Sequence, residues 1–380
     1  MHPASRQADV LIVGGGIIGA ACAREFAAQG LSVSVIERGA LGGGATAASM
    51  GHLLVVDGES GSAADRAEHQ LSLRSMQLWQ QWLQSQPQRA AEVEQQQLGT
   101  LWVAADDEEF ALAERKAQWL SAQGLAASVI DAARLQQLEP ALRPGLRGAL
   151  HVPGDGRVYP PKLAAQWLAE SGATLLRGEV AAIEPGGVRL YDGRRLWAAM
   201  VVLAGGLESR RFLPEGWMLA KKGHLAITQR QPQTLVSHQL VELGYIKKAH
   251  LVDEDTVSFN VQPRPGGQLL IGSSRQIGKE DPAVELPMLA RMLRCASDYL
   301  PALREQSILR CWTGLRPASR DGLPLLGAHP SLRQCWIACG HEGLGISTAL
   351  GSAELLAAIA LGQEPRIDAA AFVPSRFAAP

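Results

Sequence analysis

Residues 8–38 read ADVLIVGGGIIGAACAREFAAQGLSVSVIER, and this stretch decides the fold. Ala8 to Val13 is a short apolar run of strand character, and GGGIIG breaks it. AACAREFAAQG follows as a helix former, with Gly30 placed to end the helix. LSVSVIE alternates and is β-branched, which makes a second strand. The order is strand, glycine turn, helix, strand, and a right-handed crossover is expected of it. Gly14, Gly16 and Gly19 take the Gly-x-Gly-x-x-Gly spacing, and Glu37 closes the second strand. A lone glycine triplet is a weak signal. Here it leaves a strand, opens a helix, sits within a ~30-residue βαβ unit and has an acid about twenty positions on, as a dinucleotide site requires.

Each residue has a physical task. Gly14 permits the tight turn, Gly16 lets backbone approach a pyrophosphate, and Gly19 lets helix and strand pack closely. The helix start, with Ile17 and Ile18, offers free N–H groups and partial positive charge to phosphate. Glu37 can accept both hydrogen bonds of a ribose diol, with Arg38 beside it. The fingerprint alone leaves FAD and NAD open. Residues 42–51, GGGATAASMG, are small and carry hydroxyls at Thr46 and Ser49, so this loop can lie against a large flavin. No second glycine fingerprint is present for a separate nicotinamide domain.

Outward from this unit, residues 63–87 place Leu71, Leu78, Trp79, Trp82 and Leu83 at helical spacings. GTLWVA, at 99–104, reads as a strand, and GDGRVYPPKL, at 154–163, as a turn into a helix. Residues 174–206 hold three strand candidates. Residues 223–275 are strand-rich, and 286–299 are helical. The chain closes on the strand CWIAC, a glycine loop GHEGLG and an Ala/Leu-rich helix. Helical and strand-rich stretches alternate along the whole length, which predicts two interleaved domains. The expected fold is α/β: a Rossmann-type FAD-binding domain from discontinuous segments 8–85, 151–215 and 316–365, with a mixed β-sheet substrate domain from 86–150 and 216–315.

The bulk properties exclude several classes of function. Of 380 residues 47% are hydrophobic and 19% charged, with a formal net charge of −1, so no broad field exists to draw nucleic acid or an anionic membrane. The pairs Lys221-Lys222 and Lys247-Lys248 are too short to change that and read as solvated loop or strand ends. Five cysteines, widely spread, fit neither a disulfide framework nor a metal site, and a buried reduced thiol is expected of each. The first nine residues lack the apolar core of a signal peptide, and no run of eighteen apolar residues occurs. The expectation is a cytoplasmic protein without a membrane span or a metal.

VGGGIIGAACAREFAAQGLSVSVIER, GATAASMGHL, VVLAGG at 201–206, WTGLRPASRDGLPLLG at 312–327 and GHEGLGISTALG at 340–351 resemble, together and nearly end to end, the D-amino-acid oxidase family of FAD amine oxidoreductases. That group includes glycine and sarcosine oxidases, D-amino-acid dehydrogenases and the flavin-bearing β subunits of proline and hydroxyproline dehydrogenase complexes. The resemblance implies FAD as cofactor. It implies oxidation of a small amino or imino acid (a D-amino acid, D-hydroxyproline, or a glycine- or sarcosine-like amine) to the imine, by hydride loss from Cα to flavin N5. GYIKKAH, SFNVQPRPGGQLLIGSSRQ and WTGLRPASRDGLPLLG look most like the β subunits, which implies a heteromeric complex whose partner subunits carry further redox centres. A non-catalytic FAD-bound scaffold subunit and a self-sufficient oxygen-using amine oxidase are the alternatives.

Roles follow residue by residue from the same resemblance. Gly44, Ala45, Thr46, Ser49 and Gly51 line the flavin, and the backbone of Val180 meets the adenine. Ala204, Gly205 and Gly206 lie beside the pyrophosphate. Gly343, Leu344, Gly345 and Ile346 bring the last helix's N-terminus to the flavin pyrimidine, where it would steady negative charge on the reduced ring. Gly314 stands next to the flavin, and Arg316 in GLRP grips the substrate carboxylate, a task suited to a planar two-pronged donor. His341 is expected to line the flavin edge and His52 to be a satisfied structural histidine. Tyr245, Lys247 and Lys248 are further candidates for the substrate side. Cys311 stands where the monomeric sarcosine oxidases anchor flavin covalently, but WTGLRP around it is of the non-covalent kind, so a spectator thiol is expected.

Overall fold

The computed structural model describes residues 8–55, 61–244 and 255–377. Two eight-stranded sheets organise them. In the first, Ala8–Val13 is central and pairs in parallel with Val33–Glu37 on one side and Arg195–Leu203 on the other. Thr174–Arg177 extends one edge in parallel, and Cys335–Cys339 with antiparallel Leu325–Ala328 extends the other. Val180–Glu184 and Gly187–Leu190 form an antiparallel extension on Arg195–Leu203. Val10, Leu11, Ile12 and Val35 have no exposed surface, as strands covered on both faces require.

Helices Ile17–Ala28, Ala63–Ser85, Pro160–Glu170 and Gly345–Ala360 cover one face of this sheet. The expected amphipathic helix is present as Ala63–Ser85, and its Trp79 and Trp82 pack with Trp167 as a buried triad. It meets the final helix at Gly351, where a Cβ would lie 3.0 Å from the Leu71 carbonyl oxygen. Ser75 Oγ donates to the Ser347 carbonyl at 2.5 Å and accepts from Gly351 N at 3.1 Å, so the two helices are locked in register.

The second sheet runs, strand beside strand, Ile308–Ser319, Met218–Thr228, Leu269–Ile277, Thr256–Pro263, Gln239–Glu242, Thr100–Ala104, Gly148–Val152, Ser128–Asp131. It is mixed, because Gln239–Glu242 pairs in parallel with Thr100–Ala104 and its neighbours are antiparallel. Helix Leu286–Tyr299 closes its far side, its Met288 and Met292 sharing one core with Phe259 of the sheet. The chain crosses between the sheets several times, but the expected boundaries at 316 and 151 fall inside strands. Ile308–Ser319 and Gly148–Val152 belong wholly to the second sheet. Hydrogen bonding along a strand carries it past the point where the motif content changes.

The basic pair at 221–222 is a correction. Lys221 is 9% and Lys222 0% exposed, inside the strand Met218–Thr228. Successive strand residues point to opposite faces. Lys221 Nζ therefore reaches Glu342 at 2.7 Å on one face, and Lys222 Nζ reaches Glu285 at 2.9 Å on the other. Tyr245, Lys247 and Lys248 lie outside the described residues.

Candidate flavin and substrate site

The C-terminal ends of the parallel strands converge on one crevice, where open α/β sheets take ligands. Gly14 leaves the central strand with φ +112°, and a Cβ there would lie 2.6 Å from the Ala204 carbonyl oxygen. A Cβ on Gly19 would lie 1.9 Å from the Gly14 carbonyl oxygen, so the fingerprint turn and its helix touch backbone to backbone. Gly16 caps the helix and brings no side-chain cap. Thr46 Oγ1 accepts from Ile17 N at 3.1 Å, tying the loop 44–51 to the fingerprint, and Ser49 Oγ bonds the Thr46 carbonyl at 2.8 Å. Gly51 has φ +87°, and a Cβ on it would lie 2.2 Å from the Val158 carbonyl oxygen. Gly44, with φ +57°, opens the short helix Gly44–Ala47 that carries Ala45.

Glu37 ends the neighbouring strand. Its two carboxylate oxygens accept from Gly15 N at 2.7 Å and Gly39 N at 2.6 Å, which aims the group across the crevice mouth. Each oxygen keeps a second lone pair for a ribose hydroxyl. Gly178 N donates to the Glu37 carbonyl at 3.2 Å, so Val180, two residues on, stands near the same end. Arg38 turns aside and pairs with Glu179 and Glu208 at the surface. Ala204 N bonds the Val13 carbonyl at 2.9 Å, which sets Gly205 and Gly206, the latter with φ +59°, directly beside the fingerprint.

The final loop and helix complete the crevice. Gly345 lies with Ile18 Cδ1 3.8 Å from where its Cβ would be, and the helix Gly345–Ala360 has no capping side chain and no acid in its first turn. Glu342, at φ +46°, donates its N–H to the Pro317 carbonyl at 2.8 Å, docking Gly343 and Leu344 on the strand of Arg316. Lys221 and Arg275 hold the Glu342 carboxylate at 2.7 and 2.9 Å.

His341 takes another position than the one expected. It is 5% exposed, with Nε2 3.0 Å from Ser352 Oγ, and burial drives its pKa down to about 3. It is a neutral group turned under the final helix.

Arg316 lies on the face of the second sheet turned to the crevice. Along its strand Trp312, Gly314 and Arg316 share that face. Trp312 Nε1 donates to the Ala48 carbonyl at 3.3 Å, and a Cβ on Gly314 would lie 2.5 Å from Ala48 Cβ. The guanidinium folds flat over Gly223, where a Cβ would lie 2.6 Å from both Nη1 and Nη2. Nη1 donates to the Ser274 carbonyl at 3.1 Å, and among the described residues no carboxylate comes within ion-pair distance of it. The remaining donors of the fork are free for an incoming anion. Gly223, Lys221, Arg275 and Glu342 received no site role from the sequence alone. A glycine inside a strand, as Gly223 is, marks close approach of another group, and that was the one available signal.

A family model described as "FAD dependent oxidoreductase" (DAO) matches residues 9–359. The chain belongs to this FAD-dependent oxidoreductase family. Its cofactor is FAD, and the glycine cradle, the Glu37 carboxylate and the start of the final helix, which carries no capping side chain, fit that group. The chain is similar to a glycine oxidase of Geobacillus kaustophilus, 28% identical over 97% of each chain. It is similar also to the hydrogen cyanide synthase subunit HcnC of Pseudomonas aeruginosa, 27% identical over 98% of this chain and 97% of the other. Among solved structures, glycine oxidase from Geobacillus kaustophilus superposes with a TM-score of 0.84 at 27% identity, covering 98% of this chain and 99% of that one.

Proposed function

We propose that this FAD-dependent oxidoreductase oxidises a small amino or imino acid at its Cα–N bond. The observation that carries the reading is Arg316: a guanidinium facing the flavin crevice, seated on glycine, fixed by one carbonyl and without a carboxylate partner among the described residues. A planar fork so placed recognises a carboxylate with two parallel hydrogen bonds. FAD, when bound, supplies an acceptor for the hydride leaving Cα, and the product is an imine that water hydrolyses or that persists if cyclic. The chain's own residues bind and orient. Gly14, Gly16, Gly19, Gly205 and Gly206 hold the pyrophosphate, Glu37 the ribose, and Val180 the adenine. Thr46, Ser49 and the start of the final helix hold the flavin. His341 acts at one remove, fixing the loop through Ser352. Positioning of reactants accounts for a large share of the rate in such a site.

D-amino acids, D-hydroxyproline and glycine- or sarcosine-like amines are the substrate candidates, and the similarity to proteins named glycine oxidase supports that size class. Electrons pass outward to a partner subunit. Among the described residues no cluster of acids, histidines and cysteines could hold a metal ion, and none of the five cysteines is in a disulfide. The relative HcnC is itself named as a subunit. Use of oxygen is the second reading, favoured by the relatives named oxidases. No helix among the described residues is long and apolar enough to cross a membrane, and we place the protein in the cytoplasm. The test is to reduce the purified chain with substrate without air and then offer oxygen and an artificial dye separately. Reoxidation by oxygen as fast as turnover would make it an oxidase and refute the partner reading.

A further inference from the structure

A directed chain of hydrogen bonds crosses the second sheet and ends at the crevice. Glu94 holds Arg264 Nη2 at 2.8 Å, and Arg264 Nη1 donates to Gln262 Oε1 at 3.0 Å. Guanidinium groups only donate, so the Gln262 amide is fixed with its nitrogen turned away. That nitrogen donates to Gln239 Oε1 at 2.8 Å. The Gln239 nitrogen in turn donates to the Gly156 carbonyl at 3.0 Å, and a carbonyl only accepts, so this amide is fixed too. His52 Nδ1 stands 2.7 Å from the same Gln239 oxygen and must carry its ring proton there.

Burial, and the nearby Arg264 charge to a smaller degree, hold the His52 pKa below its ordinary value, so the ring is neutral and Nε2 is bare. The structure sets Asn260 Oδ1 3.2 Å from that nitrogen, the amide orientation that would call for a proton on Nε2. Two acceptors cannot face one another, and the two ends of an amide are alike in shape, so the Asn260 nitrogen is the end that meets His52. Its oxygen is left pointing the other way.

The strand register says where that is. Asn260 pairs with Gly272, and a Cβ on Gly272 would lie 3.1 Å from Met50 Sδ, at the crevice floor. Gly223, under the Arg316 guanidinium, pairs with Gly314 in the same face. Gly223 and Asn260 are two strands and about two residues apart, roughly 12 Å between Cα atoms. A guanidinium and an asparagine side chain leave room for a small amino acid in that span. The wall is tied to the final helix as well, since Ser347 Oγ donates to the His52 carbonyl at 3.2 Å.

We infer that His52 and Asn260 form the wall of the substrate site opposite Arg316 and present a hydrogen-bond acceptor to an N–H or O–H of the substrate. The inference rests on the proposed amino-acid oxidation. The donor is either the substrate amine or a hydroxyl on its side chain or ring, and paired substrates separate the two. Dissociation constants and anaerobic flavin-reduction rates are measured for glycine and for proline and 4-hydroxyproline in both enantiomers. The proteins are wild type, Asn260→Ala and His52→Gln, the last keeping an amide able to accept.

Asn260→Ala should weaken binding about tenfold or more. The loss falls on the hydroxylated compound alone if the hydroxyl is the donor, and on all reactive compounds if the amine is. His52→Gln should retain most of the affinity, and FAD content should stay unchanged in both. Affinities within twofold of wild type for every compound would overturn the inference, and so would losses that only follow FAD content. If wild-type flavin is bleached by none of them, nor by sarcosine or D-alanine, the functional reading itself fails. The ¹⁵N shifts of His52 still test the wall in that case: a bare Nε2 upholds it and a protonated Nε2 overturns it.

Discussion

Gly223→Ala probes the carboxylate grip without touching the gripping residue. The new methyl would stand 2.6 Å from both terminal nitrogens of Arg316 and 2.8 Å from its Cζ. Ordinary contact needs roughly 1 Å more, so the guanidinium must lift off the sheet by about that distance. The backbone has no reason to move, because the obstructed atoms are the end of a flexible side chain and φ at this glycine is ordinary. Stability and FAD content should therefore stay near wild type. A 1 Å misplacement of a positioning group costs on the order of 100-fold in rate, and kcat/KM for anaerobic flavin reduction should fall by about ten- to a hundredfold. Most of it should appear as weaker substrate binding. An unchanged kcat/KM with the methyl in place would refute the seat of Arg316 on Gly223 and, with it, the geometry assigned to the carboxylate.

Glu37→Ala should lower FAD affinity by about 2 kcal/mol, since it removes a charge-assisted hydrogen-bond pair; equal flavin retention on dialysis would contradict the ribose role. FAD should be released by acid or heat, because the Cys311 thiol is pushed up in pKa by burial and gives little thiolate; flavin that stays with the denatured chain would identify a covalent anchor. Asp155, 4% exposed, has its carboxyl raised to about 7 by burial, a rise that a hydrogen bond with Thr100 partly offsets. The folded state thus keeps a proton that the unfolded chain releases from about pH 4 upward, and stability falls as pH rises through that window toward 7. Asp155→Asn should melt higher than wild type by a margin that grows from pH 5 to pH 8, and a margin independent of pH would show that Asp155 is not held protonated.

What was legible in the sequence was what is local. Gly14, Gly16, Gly19 and Glu37 lie within one βαβ unit, and strand–turn–helix context reads such a unit directly. Arg316 and the loop 343–346 came from their motifs, and the structure sets both on the same crevice. The lysine pair at 221–222 was misread because its partners are remote. Glu342 is 121 residues from Lys221, and Glu285 is 63 from Lys222. Only strand alternation, visible once the sheet exists, sends the two ammonium groups to opposite faces. Asn260 lies in a stretch that carries the resemblance but received no role there, and Gln239 lies in no motif. Their meaning comes from the order of strands, which brings two distant strands onto His52.

The central claim is that this chain uses its flavin to oxidise a small amino acid whose carboxylate rests on Arg316. Its most direct test is the visible spectrum of the purified protein, recorded anaerobically during titration with a panel of small amino and imino acids, for wild type and for Arg316→Lys. The oxidised-flavin bands of wild type should bleach with at least one member of the panel, with one imine or its hydrolysis product formed per flavin. Lysine keeps the charge and loses the fork, so Arg316→Lys should carry the same starting spectrum and need far higher substrate to bleach. Identical titrations for the two proteins would contradict the carboxylate grip, and a wild-type flavin that no member of the panel reduces would contradict the function.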